Sequence, residues 1–365
     1  MRKTSAWPLS QLCVALIIYA SLYPFDQWRD QGIAPWAFLG APWPKYWTWF
    51  DVASNVLGYA PLGFFLTLSA MRMGWRGAIV WPATLAAALL SLTMEGLQSY
   101  LPARVPSQVD LLLNIAGGWI GAVLASGLER MGMLNRWSQF RARWFVRDAH
   151  MALVLMAMWP VALLFPVAVP LGLGQVWERV EDALTSAFDA TPFADWIPLR
   201  AFELEPLLPG AELLCVMLGL LIPCLLGFGV IRQLGQRIFY AMSVVVVGLA
   251  MSALSAALTY GPANAWTWLS LPVVLGWGLG FVLALVFAAL PARTCAAFLL
   301  LTLVVQQSVL NQSPESAYFA QVLHTWELGR FIRFHGLVQW FGWLWPYAVL
   351  VWALARVSRE RHGET

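Results

Sequence analysis

Residues 95–121 read E-G-L-Q-S-Y-L-P-A-R-V-P-S-Q-V-D-L-L-L-N-I-A-G-G-W-I-G, and they decide the fold. The stretch leaves one apolar segment, crosses a loop marked by Pro102 and Pro106, and enters a second apolar segment. Glu95, Gln98, Arg104, Asp110 and Asn114 stand out as polar side chains against this background. Asp110 and Asn114 are four apart and share a helix face that Gly117, Gly118 and Gly121 continue. Polar groups at membrane depth are costly and mark function or tight packing. A fainter copy lies upstream, where Asp51, Asn55 and Gly58 repeat the spacing of Asp110, Asn114 and Gly117 at a constant offset of 59 residues.

The composition sets the class. Of 365 residues, 60% are hydrophobic and 11% charged, a balance no soluble domain of this size holds, so the chain reads as an all-α, polytopic membrane protein. Its 22 tryptophans suit many membrane–water boundaries. No basic patch interleaved with aromatics points to nucleic acid. Cys13, Cys215, Cys224 and Cys295 fall inside apolar runs without the paired spacing of a zinc site and read as buried thiols. The four histidines do not cluster, so neither a metal nor another cofactor is expected, and no Ser/His/Asp, HExxH or Walker pattern appears.

A spanning helix needs roughly 20 apolar residues. That criterion places ten spans near 8–23, 53–70, 78–97, 109–128, 150–171, 211–230, 238–260, 268–290, 294–310 and 337–356. Arg2 and Lys3 precede the first run, which no A-x-A site follows, so it reads as a retained span and not a cleaved signal. With the N-terminus inside, the inner segments carry fifteen of the 22 Lys and Arg residues, and the outer segments carry fifteen of the 19 acids. Lys/Arg bias in short loops fixes orientation, so both termini are predicted to be cytoplasmic. The arginine-rich link 129–149 separates a four-span unit, 1–128, from a six-span region, 150–365. Two outer loops, 175–200 and 318–334, have the spacing of amphipathic helices lying in the outer interface. Gly276, Gly278 and Gly280 lie mid-span and read as close helix packing in place of a phosphate loop.

Within this frame Asp51 and Asp110 start spans two and four, where a carboxylate is favoured by the helix dipole and caps free N–H groups. Asn55 and Asn114, one turn deeper, read as cross-helix hydrogen-bonding groups. Glu95 sits at a helix C-terminus, which repels an anion, and Arg104 is the cation beside it. Either Arg104 pairs with Glu95 or Asp110, or it holds an external phosphate or carboxylate through its fork. The candidate ligand-binding set is Glu95, Gln98, Arg104, Asp110, Asn114, Asp51 and Asn55.

Residues 50–125 resemble the VanZ-like family. The shared features are D-x3-N-x-x-G-x-x-P-L-G, met by Asp51, Asn55, Gly58, Pro61, Leu62 and Gly63, and E-x2-Q-x5-R-x5-D-x3-N-x2-G, met by Glu95, Gln98, Arg104, Asp110, Asn114 and Gly117. The resemblance implies a small multi-span domain linked in some members to low-level resistance to glycopeptides such as teicoplanin. Many members carry a D-K-x-x-H type pattern between the first two spans; this chain has F-D-Q-W-R-D around Asp26 instead, so a histidine-based catalytic role is not expected. The expected role is binding of an anionic lipid or glycan precursor at the outer leaflet of a bacterial inner membrane, with membrane lipids as partners. An enzyme acting on a lipid-linked phosphate and a lipid or solute transporter are the alternatives. Nothing in the sequence fixes an oligomeric state.

The charge pattern makes a direct forecast. Reporter fusions after Arg147 and within residues 185–192 are expected to report opposite sides of the membrane, and one side for both would overturn the ten-span topology.

Overall fold

A computed structural model describes residues 6–23, 25, 27–43, 48–75, 78–189, 191, 207–313 and 332–362. Those residues form twelve α-helices and no strand, and the chain divides into two compact units, Met1–Phe140 and Arg141–Thr365. Eight helices are long and apolar enough to cross a membrane; the first and fifth expected spans are shorter apolar helices, Ala6–Leu22 and His150–Ala162.

The first unit holds α1 (Ala6–Leu22), α2 (Trp49–Arg72), α3 (Val80–Gln98), α4 (Gln108–Arg130) and most of α5 (Met133–Trp144). Its core gathers Ile17, Leu22, Tyr59, Leu62, Ala87, Met94 and Leu101. Leu57, Leu85, Leu89, Leu112 and Leu124 point outward, as lipid-facing positions do. The tightest contact is between α2 and α4, which run parallel and meet through small residues. A Cβ on Gly117 would strike the Val56 carbonyl, one on Gly121 the Ala60 carbonyl, and one on Gly63 the Gly118 carbonyl. Apolar surface gives helices little reason to associate in lipid, so close backbone approach and van der Waals contact take over.

The second unit holds α6 (His150–Ala162), α7 (Trp177–Phe188), α8 (Pro209–Phe228), α9 (Leu234–Tyr260), α10 (Leu271–Ala288), α11 (Ala292–Leu310) and α12 (Ile332–His362). Its central helix is α8, 72% buried where the other spans of this unit are 33–39% buried. Around it pack α6, α9, α10 and α11. Gly276 and Gly280 press α10 onto the Leu213 and Met217 carbonyls of α8, whereas Gly278 opens onto free space. The glycine run is thus a packing face.

One expected span differs. The helix read over 150–171 ends at Ala162, four residues before Pro166, whose ring would collide with that carbonyl in a continuing helix. Residues 163–176 then run irregularly, with Leu163, Phe165, Leu171 and Leu173 buried and Leu171 at φ 61°. Irregular backbone at such depth needs partners from elsewhere in the protein. Ser255 Oγ donates to the Leu164 carbonyl at 3.0 Å, Gln306 Nε2 to Leu171 at 3.3 Å and Gln307 Nε2 to Leu173 at 2.8 Å. Tyr347 donates its hydroxyl to the Gly174 carbonyl at 3.0 Å, and Asn311 Oδ1 accepts from Val176 N at 3.1 Å. Of the two loops read as amphipathic, the first forms α7 with no buried residue; the second, 318–334, lies almost wholly outside the described residues.

The α2–α4 contact distinguishes the two copies of the repeated motif. Gly117 faces backbone, but its counterpart Gly58 has nothing within 4 Å of its Cβ position among the described residues. Gly117→Leu is expected to destabilise the purified protein by roughly 1–3 kcal/mol or more through overpacking, while Gly58→Leu leaves the thermal transition unchanged or slightly raised. Equal effects would remove this role for the α4 glycines.

Candidate functional site

The two aspartates start from the same local chemistry. Thr48 and Ser107 are the N-cap residues of α2 and α4, and Asp51 and Asp110 lie three positions on. Thr48 Oγ1 accepts from Asp51 N at 3.2 Å, and Asp51 Oδ2 accepts from Thr48 N at 2.9 Å, a reciprocal box that satisfies two orphan donors. Ser107 Oγ accepts from Val109 N at 3.2 Å and Asp110 N at 3.4 Å. Asp51 spends its carboxylate inside its own box and stays exposed. Asp110 turns to the neighbouring helix, where Asn55 Nδ2 donates to Oδ1 at 2.9 Å. One sequence pattern therefore closes a helix end in the first copy and joins two helices in the second.

One turn deeper lies a buried polar cluster. Asn114 on α4 donates from Nδ2 to Ser91 Oγ on α3 at 2.9 Å, and both residues are buried. Asn114 Oδ1 is enclosed and has no hydrogen-bond partner among the described residues. The same holds for the Tyr59 hydroxyl of α2, which lies close to Ser91 and within electrostatic reach of Glu95 without completing a hydrogen bond. Three helices each contribute a pair four residues apart: Asn55 and Tyr59, Ser91 and Glu95, Asp110 and Asn114. Tyr59 and Ser91 were not among the expected site residues. Their signal was this i, i+4 spacing from a polar residue already singled out, which places them on the same face.

Glu95, 3% exposed, sits in the last turn of α3, where the helix dipole opposes a negative charge. Its carboxylate reaches across to the next helix, and Oε2 accepts from Ser107 N at 2.8 Å. The anion is therefore held against the positive end of α4, which offsets the unfavourable end of α3. Arg104 has the complementary arrangement. Nε donates to the Tyr23 carbonyl at 3.1 Å and Nη2 to the Ala20 carbonyl at 3.2 Å, both at the C-terminal end of α1. Gln98 Nε2 adds a bond to the Ser21 carbonyl at 3.1 Å. A cation and an amide thus cap the last carbonyls of α1, the favourable end for positive charge.

The first connection covers this end of the unit. Arg29 N donates to the Tyr100 carbonyl at 3.0 Å, Gln31 Nε2 to Ser99 at 2.7 Å, and Gln108 Nε2 to Ala41 at 2.6 Å. The Trp36 ring lies against Gly96, so that an added Cβ would meet it at 3.3 Å. Trp28, Trp43 and Trp49 remain exposed around this cover. The expected site residues enter a network of separate links across α1–α4: Asn55, Asp110 and Glu95 meet at the N-terminus of α4, Asn114 bonds to Ser91, Gln98 and Arg104 cap α1, and Asp51 stays in its own exposed capping box. Among the described residues no group of three or more His, Cys, Asp or Glu is placed to hold a metal ion. The F-D-Q-W-R-D segment around Asp26 lies partly outside the described residues.

Residues 5–129 match the VanZ/LLP1 family model, which spans α1 to the last turn of α4 and so includes every residue of this network. No curated protein and no solved structure matches the chain.

The Arg104 geometry has a measurable consequence. Arg104→Ala leaves α1 carbonyls without their charged donor and is expected to lower stability by roughly 1.5–3 kcal/mol, read as a lower thermal transition of the purified protein. Arg104→Lys should recover part of this loss, since an ammonium reaches one carbonyl but lacks the fork. An unchanged transition in Arg104→Ala would remove the capping role.

Proposed function

We propose that this multi-pass protein works in a bacterial cytoplasmic membrane, with both termini cytoplasmic, and that its N-terminal unit binds the polar headgroup of an anionic lipid or glycan precursor at the outer leaflet. The observation that carries this reading is the enclosed Tyr59 hydroxyl and Asn114 Oδ1 beside buried Glu95. Buried polar atoms nearly always have partners, and an unmet pair in one cluster calls for water or a ligand group. Tyr59 offers a donor; Asn114 Oδ1 and the Glu95 carboxylate offer acceptors. That combination suits hydroxyl groups of a glycan headgroup better than a bare phosphate, which Glu95 would repel. Arg104 supplies positive charge at the rim while it holds α1 in place. The exposed tryptophans of the covering segment suit a site entered from the headgroup layer. The VanZ/LLP1 match over 5–129 supports adding teicoplanin tolerance to this reading.

The interrupted α6 favours the transporter reading, because broken helices mark many transport sites. In this protein, however, Ser255, Gln306, Gln307, Asn311 and Tyr347 already donate to the carbonyls that such a break releases. Headgroup binding by the first unit therefore ranks ahead of it.

Tyr59→Phe separates ligand binding from a structural role. Removing an unpaired buried hydroxyl should leave stability unchanged or raise it. If Tyr59 contacts a headgroup, the variant is expected to keep normal membrane abundance yet lose retention of a polyprenyl-linked saccharide in native mass spectrometry, together with any teicoplanin phenotype. Wild-type retention by Tyr59→Phe and Glu95→Gln at normal abundance would refute the proposal.

A further inference from the structure

The break after Ala162 also leaves a space. Between the irregular segment and the C-terminal half of α9 lies a groove of about 440 Å³, open on one side. Pro166, Val167 and Pro170 belong to one wall and Ser252, Ser255 and Thr259 to the other, with Trp268 beside them. All of these residues lie in the second unit. Nearer the middle of α9 the helix surface is filled: a Cβ on Gly248 would meet the Trp277 ring at 2.7 Å and the Trp159 ring at 3.0 Å. Beside residues 163–170 no ring takes that place. The prolines there hold the chain out of helical geometry, and with it go the side-chain ridges that fill the surface of a neighbouring helix.

The lining decides what fits. It includes no charged side chain. Most of its polar side chains are already engaged within the protein: Ser255 Oγ donates to the Leu164 carbonyl at 3.0 Å, Thr259 Oγ1 to Ser255 at 2.7 Å and Trp268 Nε1 to Ala265 at 2.8 Å. Two donors on the walls remain. The Ser252 hydroxyl and the Val167 N–H make no hydrogen bond among the described residues. The groove therefore offers a largely apolar surface and a little donor capacity. Its surroundings are those of a lipid site as well. The helix α9 is of membrane-spanning length, and Leu254 and Leu258, next around it, are 45% and 53% exposed, so the groove continues into surface of the lipid-facing kind.

We infer that the groove holds an ester-linked acyl chain of a phospholipid. The methylenes lie against the proline and Trp268 rings, and the ester carbonyl accepts from Ser252 Oγ and the Val167 N–H. A phosphate or a sugar would find no charge here and too few donors to replace its water. A polyprenyl chain has the hydrocarbon but no carbonyl beside it, and acyl chains are the hydrocarbon that a bilayer supplies in greatest amount, so mass action favours them. The site shares no residue with the polar cluster of α1–α4 and does not depend on its ligand.

The full-length protein, reconstituted in phosphatidylcholine nanodiscs and then washed in detergent, provides the test, with retained lipid counted by native mass spectrometry. Wild type is expected to keep a single phosphatidylcholine per chain, and to keep phosphatidylglycerol of the same chains equally well, since the lining has no charge. Diether phosphatidylcholine of the same chain length should be retained several-fold less. Ser252→Phe, which fills the groove, should lose the retained lipid. Its thermal transition should also no longer rise when phosphatidylcholine is added back, as the wild-type transition should. Ser252→Ala removes a donor alone, so it should keep the chain but retain ester and ether lipids more nearly alike; this small change stays informative if Ser252→Phe does not fold. Wild-type retention in Ser252→Phe, or a retained lipid set by its headgroup, would overturn the site. Equal retention of ester and ether lipids by wild type, or an unchanged ester preference in Ser252→Ala, would overturn the carbonyl contact. Displacement of phosphatidylcholine by an equal amount of a polyprenyl phosphate would overturn the choice of chain.

Discussion

A backbone carbonyl enclosed at membrane depth must find a donor, because lipid offers none, and much of this structure follows from that constraint. Where a helix ends inside the protein, a long donor side chain from another element meets its last carbonyls. Arg104 does this for α1. In the second unit Arg237 does it for α10, donating from Nη1 to the Ala288 carbonyl at 3.0 Å, while its Nε donates at 3.0 Å to Ile231 in the connection between α8 and α9. Both arginines are 8% exposed, and both place a cation at the negative end of a helix. Where the chain leaves helical geometry altogether, after Ala162, neutral carboxamides and hydroxyls take over. Gln306, Gln307 and Asn311 lie on or just after α11, so one helix serves most of the irregular segment.

Charge placement in the first unit obeys the same physics with the opposite sign. Glu95 is on the wrong end of its own helix and the right end of the next, and its bond to Ser107 N joins α3 to α4 across the loop. Arg104 then fixes that loop to α1, while Asn55 and Asp110 join α2 to α4. These bonds hold one end of the unit in a defined arrangement, and the glycine contacts between α2 and α4 bring the backbones close enough for the side chains to reach. The Tyr59 hydroxyl and Asn114 Oδ1 sit inside this frame without a hydrogen-bond partner among the described residues. A rigid surround with open polar capacity is what a preorganised binding site requires.

Much of the fold was legible in the sequence because its signals are local. Apolar runs of spanning length announce helices. The motif from Glu95 to Gly117 and its fainter copy from Asp51 hold the polar side chains that bond across the first unit. The break in α6 was also written locally, in Pro166 and Pro170, but a long apolar run masked it. The helix within 129–149 was harder to see, since its arginines dominate a reading by charge and it spans only three turns.

By itself the sequence determined the all-helical class, the membrane character of the protein and the residues too polar to be there without cause, since each of these depends on side-chain chemistry and spacing along one chain. Partners were decided by the tertiary structure alone. Arg104 reads as the mate of an acid, yet its bonds to Ala20 and Tyr23 cross 84 and 81 residues to backbone groups, which no composition or periodicity displays. The copies of the repeat are alike in sequence, but Gly58 has nothing within 4 Å of its Cβ position among the described residues and Gly117 meets the Val56 backbone. The difference arises because α4 packs between α2 and α3 at that level while α2 is open on one side. Spacing says which residues share a face; only packing says what that face meets.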